Sequence, residues 1–302
     1  TKHHEIELNP DDIPEILPKV IYHLGQPNAD PITVSSYALF EAISNYGFKV
    51  AISGDGSDEI FGGYDRLKEF VLNSYDSPSV KFNKYWNSLA AISIDIRNEL
   101  YSKSFKYYLN EVQSKRYFKE EMICKLNSTS KEEQLDILLN FEVNYRLPVY
   151  HLQRVDHLSS AHGLEVRVPF CQKDIVDFAF SLSSDKKIRD DGKVKAILSD
   201  TANSYNWIPK SIIDRKKQPF TLPINQMLNP TFKLGKFAKE ILLDDTVRKR
   251  GYFNFEKIES LIRALSTTNV NNEIALTIWS LLVLELWFRQ FIDVKDRSMM
   301  YV

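Results

Sequence analysis

Cysteine is scarce in this 302-residue chain: Cys124 and Cys171 stand far apart, and neither belongs to a CxxC pair. That excludes a disulfide framework and the paired-ligand spacing of a structural zinc site. Two scattered cysteines suit a reducing cytoplasm. A charge excess of either sign is also lacking, with 39 Lys and Arg against 40 Asp and Glu and a formal net charge of -1. Bulk electrostatics therefore points neither to nucleic acid nor to an anionic membrane. The 18 Phe and 15 Tyr form no basic aromatic stripe for stacking on bases. The longest apolar run, Ile274 to Phe288, is broken by Thr277, Ser280 and Glu285. It reads as a buried core helix, not a membrane span. The start, Thr1-Lys2-His3-His4-Glu5, has no basic segment leading into an apolar one, so no signal peptide is expected. It also has no initiator methionine, which suggests that the start is not a natural one. No Walker-type G-x-x-x-x-G-K-[ST] occurs. The six histidines form neither a Ser/His/Asp nor an HExxH arrangement.

What remains is an ordinary globular composition, 43% hydrophobic and 26% charged. The first 66 residues read as α/β. Ile13, Leu17, Val20, Ile21 and Leu24 share a helical face behind Asp11 and Asp12. A second helix is expected over Thr33 to Tyr46, stopped by Gly47. Phe48 to Ile52 reads as a short buried strand. From Asp65 onward there is almost no strand signal. Ser130-Lys131-Glu132-Glu133 is a capping box for a helix that Pro148 should kink or end. Further helices are expected over Asp174 to Leu182 and Asn272 to Phe291. The Lys, Asn, Ser and Tyr-rich stretch from Ser77 to Ser128 reads as a helical insertion. Lys186, Lys187, Arg189, Lys193 and Lys195 form a basic stretch that could sit near phosphates but reads better as a solvated helix and turn. No flexible linker separates residues 1–66 from residues 67–302, so both parts should pack as one unit.

The most informative segment follows the expected strand. Ser53 to Tyr64, SGDGSDEIFGGY, holds four of the ten glycines. Ligands of open α/β sheets bind beyond the carboxyl ends of strands. Ser53, Gly54 and Gly56 would let a nucleotide approach the backbone. Asp55, Asp58 and Glu59 would repel bare phosphate, and Mg²⁺ held by carboxylates and phosphate oxygens resolves that conflict. The same segment also reads as an acidic, glycine-rich turn before a helix starting near Ser57.

SGDGSDEIFGGYDR closely resembles the S-G-[ED]-G-[SG]-D-E-x-F-G-G-Y block of asparagine synthetases. Three further blocks occur in that family's order: Arg154 to Phe170 (RVDHLSSAHGLEVRVPF), Arg215 to Phe220 (RKKQPF) and Trp279 to Trp287 (WSLLVLELW). The resemblance implies a partial Rossmann-like sheet of the PP-loop ATP pyrophosphatase (adenine-nucleotide α-hydrolase) type, followed by a predominantly helical half. It implies ATP and Mg²⁺ as cofactors, with aspartate and ammonia from glutamine as substrates. It further implies a glutaminase domain in the full-length protein, and it allows a homodimer. ATP would activate the aspartate side chain as an adenylate, which ammonia then converts to the amide.

By the same resemblance, Ser53, Gly54 and Gly56 contact the nucleotide and Asp58 ligates Mg²⁺. Asp55 takes the acidic position linked to the adenylate, and Lys217 supplies a catalytic cation. Read without the family, Lys217 belongs to a solvated basic turn. Glu165 and Arg167 are substrate candidates, because a guanidinium suits carboxylate or phosphate. They read equally well as an internal ion pair before Pro169. The family's S-G-G-x-D-S loop has no match here, and the chain is expected to begin partway through the synthetase domain. Without that loop the isolated chain is expected to be inactive. A sibling adenylating ligase (β-lactam synthetase or lasso-peptide cyclase type) and a non-catalytic interaction module are the competing readings.

Overall fold

A computed structural model describes residues 2–73, 76–111, 114–215, 221–266 and 271–294. Helix α1 (Ile13–Leu24) buries Ile13, Leu17, Val20, Ile21 and Leu24, the stripe that its spacing predicts. It ends at Gly25, whose φ of 65° suits glycine. Helix α2 (Ile32–Asn45) stops before Gly47, φ 88°. The chain then enters strand β1 (Val50–Ile52), the SGDGSDE turn, helix α3 (Ser57–Phe61) and helix α4 (Asp65–Leu72).

Two expectations about strands need correction. Strand β2 (Glu165–Arg167) lies in the region that showed almost no strand signal, and it pairs parallel with β1 in the register Val50 to Glu165 and Ile52 to Arg167. Three residues reading Glu-Val-Arg are too few to display a period of two, and the pairing partner lies far away in sequence. Strand β1, expected to be buried, is not: Ile52 is 77% exposed and Phe48 54%. Among the described residues, β1 has β2 as its sole strand neighbour. Parallel strands are normally covered on both faces, so this apolar run lacks part of its cover.

The remainder is helical. Helix Lys131–Phe141 continues without a break into a π-helix, Glu142–Leu152, and then into helix Gln153–Ser160. The rod starts behind Ser130, as its capping box predicts, and Pro148 does not end it. The proline lies within the wider π turns, whose i→i+5 bonding differs from the i→i−4 ladder that proline disrupts. The expected helix Asp174 to Leu182 is found at Lys173–Ser181. The last apolar helix runs over Asn272–Trp287 and extends as a π turn through Phe288–Ile292. It is long and apolar enough to cross a membrane, yet Ala275, Ile278, Trp279 and Leu282 are fully buried inside the protein. Glu285, which interrupts the run, accepts Arg250 Nε at 2.6 Å and Arg289 Nε at 2.8 Å. The largest core joins α1 and α2 to this final helix. The α/β part and the helical part therefore share one interior.

Candidate functional site

A cleft of about 300 Å³ opens beyond the carboxyl end of β1. Its floor is the SGDGSDE turn, contributing Ser53, Gly54, Asp55, Gly56, Asp58 and Glu59. Ile32, Leu39 and Phe40 of α2 form an apolar wall, and His151 and Arg154 enter from the opposite rod. A larger groove of about 670 Å³ lies among Phe105, Tyr108, Tyr252, Phe253 and Phe288. Its one charged side chain among the described residues, Arg250, is committed to Glu285 and Asp293. Its described lining holds no acidic side chain.

The turn is shaped by contacts that only small residues permit. Gly56 has φ 88°, and a Cβ there would lie 2.5 Å from Cys171 Sγ. A Cβ on Gly63 would lie 1.9 Å from Asp58 Oδ1 and 2.2 Å from Lys195 Cε. Through that opening Lys195 reaches Asp58 Oδ1 at 3.1 Å and donates to Ser57 Oγ at 2.8 Å. Lys195 holds left-handed backbone angles, φ 49° and ψ 39°, which cost energy for a residue with a Cβ. The Ser53 hydroxyl donates to the Asp55 carboxylate.

Glu59 is 2% exposed, and burial raises its pKa. It accepts the Tyr64 phenol and has His151 Nε2 at 3.2 Å. Burial, followed by the charges of Arg154, Arg146 and Arg66, lowers the His151 pKa to about 3, so this imidazole is neutral. Arg154 Nη1 and the Tyr150 phenol both donate to Asp30 Oδ2, at 2.9 and 2.7 Å. Asp30 thereby ties the loop before α2 to the rod.

The fold thus gathers Ser53, Gly54, Asp55, Gly56 and Asp58 in one place. Glu165 and Arg167 are not among the cleft-lining residues. They lie two apart on β2, hence on one face, where Arg167 Nε meets Glu165 Oε1 at 2.9 Å with both side chains more than half exposed. Lys217 lies outside the described residues. Sequence reasoning missed Lys195 and His151. The basic stretch around Lys195 read chiefly as solvated, but Lys187 is fully buried against Asp136 and Lys195 pairs with Asp58. Arg189 and Lys193 pair with Asp200 instead. No local signal separates these lysines, because the separation comes from which turn faces Gly63.

The donor set fits a magnesium–phosphate ligand. Asp55 and Asp58 supply hard carboxylate oxygens, and Lys195 adds a cation. No group of three or more His, Cys, Asp or Glu is assembled for a metal among the described residues.

A family model described as asparagine synthase matches residues 1–289. "Asparagine synthetase [glutamine-hydrolyzing] 1" of Bacillus subtilis (strain 168) is 22% identical over 314 residues, 97% of this chain and 48% of the relative. "Asparagine synthetase [glutamine-hydrolyzing]" of Rattus norvegicus is 26% identical, covering 82% of this chain and 34% of the relative. "Asparagine synthetase [glutamine-hydrolyzing] 3" of Arabidopsis thaliana is 26% identical, covering 73% and 29%. The chain spans about half the length, or less, of these curated relatives.

Proposed function

Because the chain belongs to the asparagine synthase family, we propose that it is the ATP-using part of a carbon–nitrogen ligase that makes asparagine from aspartate. The observation that carries this reading is the cleft where Ser53, Gly54, Asp55, Gly56 and Asp58 converge, with Lys195 paired to Asp58 at its edge. In the first step, the aspartate side-chain carboxylate attacks the α-phosphorus of ATP and pyrophosphate leaves. In the second, ammonia attacks the acyl carbon, AMP leaves and nitrogen loses a proton.

The residues divide this work by chemistry. Gly54 and Gly56 leave the turn open to close approach by a nucleotide. Asp58 would hold Mg²⁺, which when bound would neutralise phosphate charge. Lys195, already beside Asp58, and Lys217 supply cations where charge accumulates on phosphate oxygens. Asp55 acts at the adenylate. Glu165 and Arg167 contact substrate in this scheme only if their mutual pair opens.

The relatives are about twice as long as this chain or longer. We assign to the part outside it a pyrophosphate-cradling S-G-G-x-D-S loop and the glutaminase that provides ammonia. The exposed β1 strand would receive the rest of a Rossmann-like PP-loop sheet. The sibling ligases are disfavoured by Asp55, which keeps the turn acidic.

Aspartate-dependent ATP–pyrophosphate exchange by the full-length protein tests the reading. Lys217→Ala should abolish exchange while glutamine hydrolysis continues. Exchange at the wild-type rate in that variant would remove Lys217 from the scheme, and no exchange by the unaltered protein would remove the scheme itself.

A further inference from the structure

Behind the cleft lies a charged network that the steps above leave unused. Glu142, the first residue of the π-helix, is fully buried. Its Oε1 accepts Arg66 Nε at 3.0 Å, Arg66 Nη2 at 2.9 Å and the Tyr85 phenol at 2.6 Å. Its Oε2 accepts Arg146 Nη1 at 2.7 Å. A carboxylate taken wholly out of water is costly unless its oxygens are fully engaged, and these are. Such a group is weak as a source of stability, which directs attention to what it holds in place.

What it holds is Arg66. The guanidinium carbon lies 3.7 Å from the centroid of the Tyr64 ring, within cation–π range. The Tyr64 phenol donates to Glu59 and lies 3.4 Å from His151 Nε2. Glu59 and His151 line the cleft, and Glu142 does not. A chain of contacts therefore runs from Glu142 through Arg66 to Tyr64 and Glu59. Asp58 precedes Glu59 in the same short helix, so a shift of Glu59 displaces Asp58 as well.

We propose that Glu142 is a positioning residue: through Arg66 it fixes the Tyr64 ring, and through that ring it sets the Glu59–Asp58 turn at the geometry adenylation requires. The inference rests on the proposed function for what the cleft does, but not for how the turn is held. Arginine suits this task because its planar fork can serve Glu142 by edge and Tyr64 by face, whereas lysine is a point charge.

The test uses Arg66→Lys in the full-length protein. Its kcat for aspartate-dependent ATP–pyrophosphate exchange should fall about tenfold or more, since small misplacements of reacting groups cost that much. KM values for ATP and aspartate should stay within about threefold, as expected when transition-state interactions are lost. Hydrogen exchange over residues 57–64 should rise, a readout that needs no turnover. Glu142→Gln strands two guanidinium groups and risks unfolding. A triple variant, Arg66→Met with Glu142→Leu and Arg146→Met, removes the charges together. It should regain thermal stability relative to Glu142→Gln without regaining kcat. Recovery of kcat along with stability would show the network to be structural and overturn the proposal. So would Arg66→Lys with wild-type kcat and wild-type exchange. Absence of turnover in the unaltered protein would count against the proposed function, while the hydrogen-exchange comparison would still judge the positioning role.

Discussion

Lys195 shows most clearly how a side chain is spent on a site. Its left-handed backbone is unfavourable for any residue with a Cβ, by roughly 1–2 kcal/mol. The compensation is the contact with Asp58 and Ser57 across Gly63. Lys195→Gly should therefore be more stable than Lys195→Ala by about 1 kcal/mol, since glycine relieves the strain. Both should lose adenylation. Denaturant titration beside the exchange assay checks this, and equal stability of the two variants would show the strain to be negligible. At Asp58 the expected outcome is different. Asp58→Asn should raise the Mg²⁺ concentration needed for half-maximal exchange, and an unaltered Mg²⁺ dependence would argue against metal ligation.

His151 gives a pH prediction. Its folded pKa is about 3 against an ordinary 6.5. Between those values the unfolded chain binds a proton that the folded chain does not, so stability falls as pH drops from about 6.5 toward 3. Glu59, raised by burial, contributes with the opposite sign in the carboxylate range, where its folded state holds the extra proton. His151→Gln removes the histidine contribution. The loss of Tm between pH 7 and pH 5 should be smaller in this variant than in the unaltered protein, and an equal loss would refute the assignment.

At the scale of elements, β1 and the π-helix behave unlike ordinary members of their class. Val50 and Ile52 of β1 face solvent, Ile52 at 77% exposure, while Ala51 packs against the core. Ile52→Ser should therefore change the stability of the 302-residue chain by no more than about 0.5 kcal/mol, as for a surface site. In the full-length protein, where the proposed sheet covers β1, the loss should exceed 1 kcal/mol. Equal effects in the two contexts would mean that nothing covers this strand. The π-helix brings Glu142, Arg146 and His151 into the network that borders the cleft, while Pro148 sits within it. The amphipathic helices were legible because periodicity is local: the five buried residues of α1 follow from spacing alone. Strand β2 was not, because three residues carry no period and their partner lies elsewhere in the chain. The π-helix was not either, since proline in a helical pattern signals a break and the wider turn that admits it has no local signature.

For the whole molecule, the shared core decides folding. Trp279 is fully buried within the core that contains Leu17, Val20 and Ile21. Trp279→Ala should cost about 3–5 kcal/mol by lost burial and the cavity left behind. The α/β and helical parts should unfold in one transition, and two separate transitions in calorimetry would show independent domains. By itself the sequence determined the turn that makes the cleft floor, because glycines and acids at fixed short spacing dictate local backbone and local charge. It also determined the family, since four motif blocks occur in order. Tertiary structure alone decided which distant groups face that turn. Lys195 turns to Asp58 while Arg189 and Lys193 turn to Asp200, and Glu142 closes on Arg66 behind Tyr64. Those choices depend on parallel pairing and helix packing between segments far apart in the chain, and no local spacing encodes them.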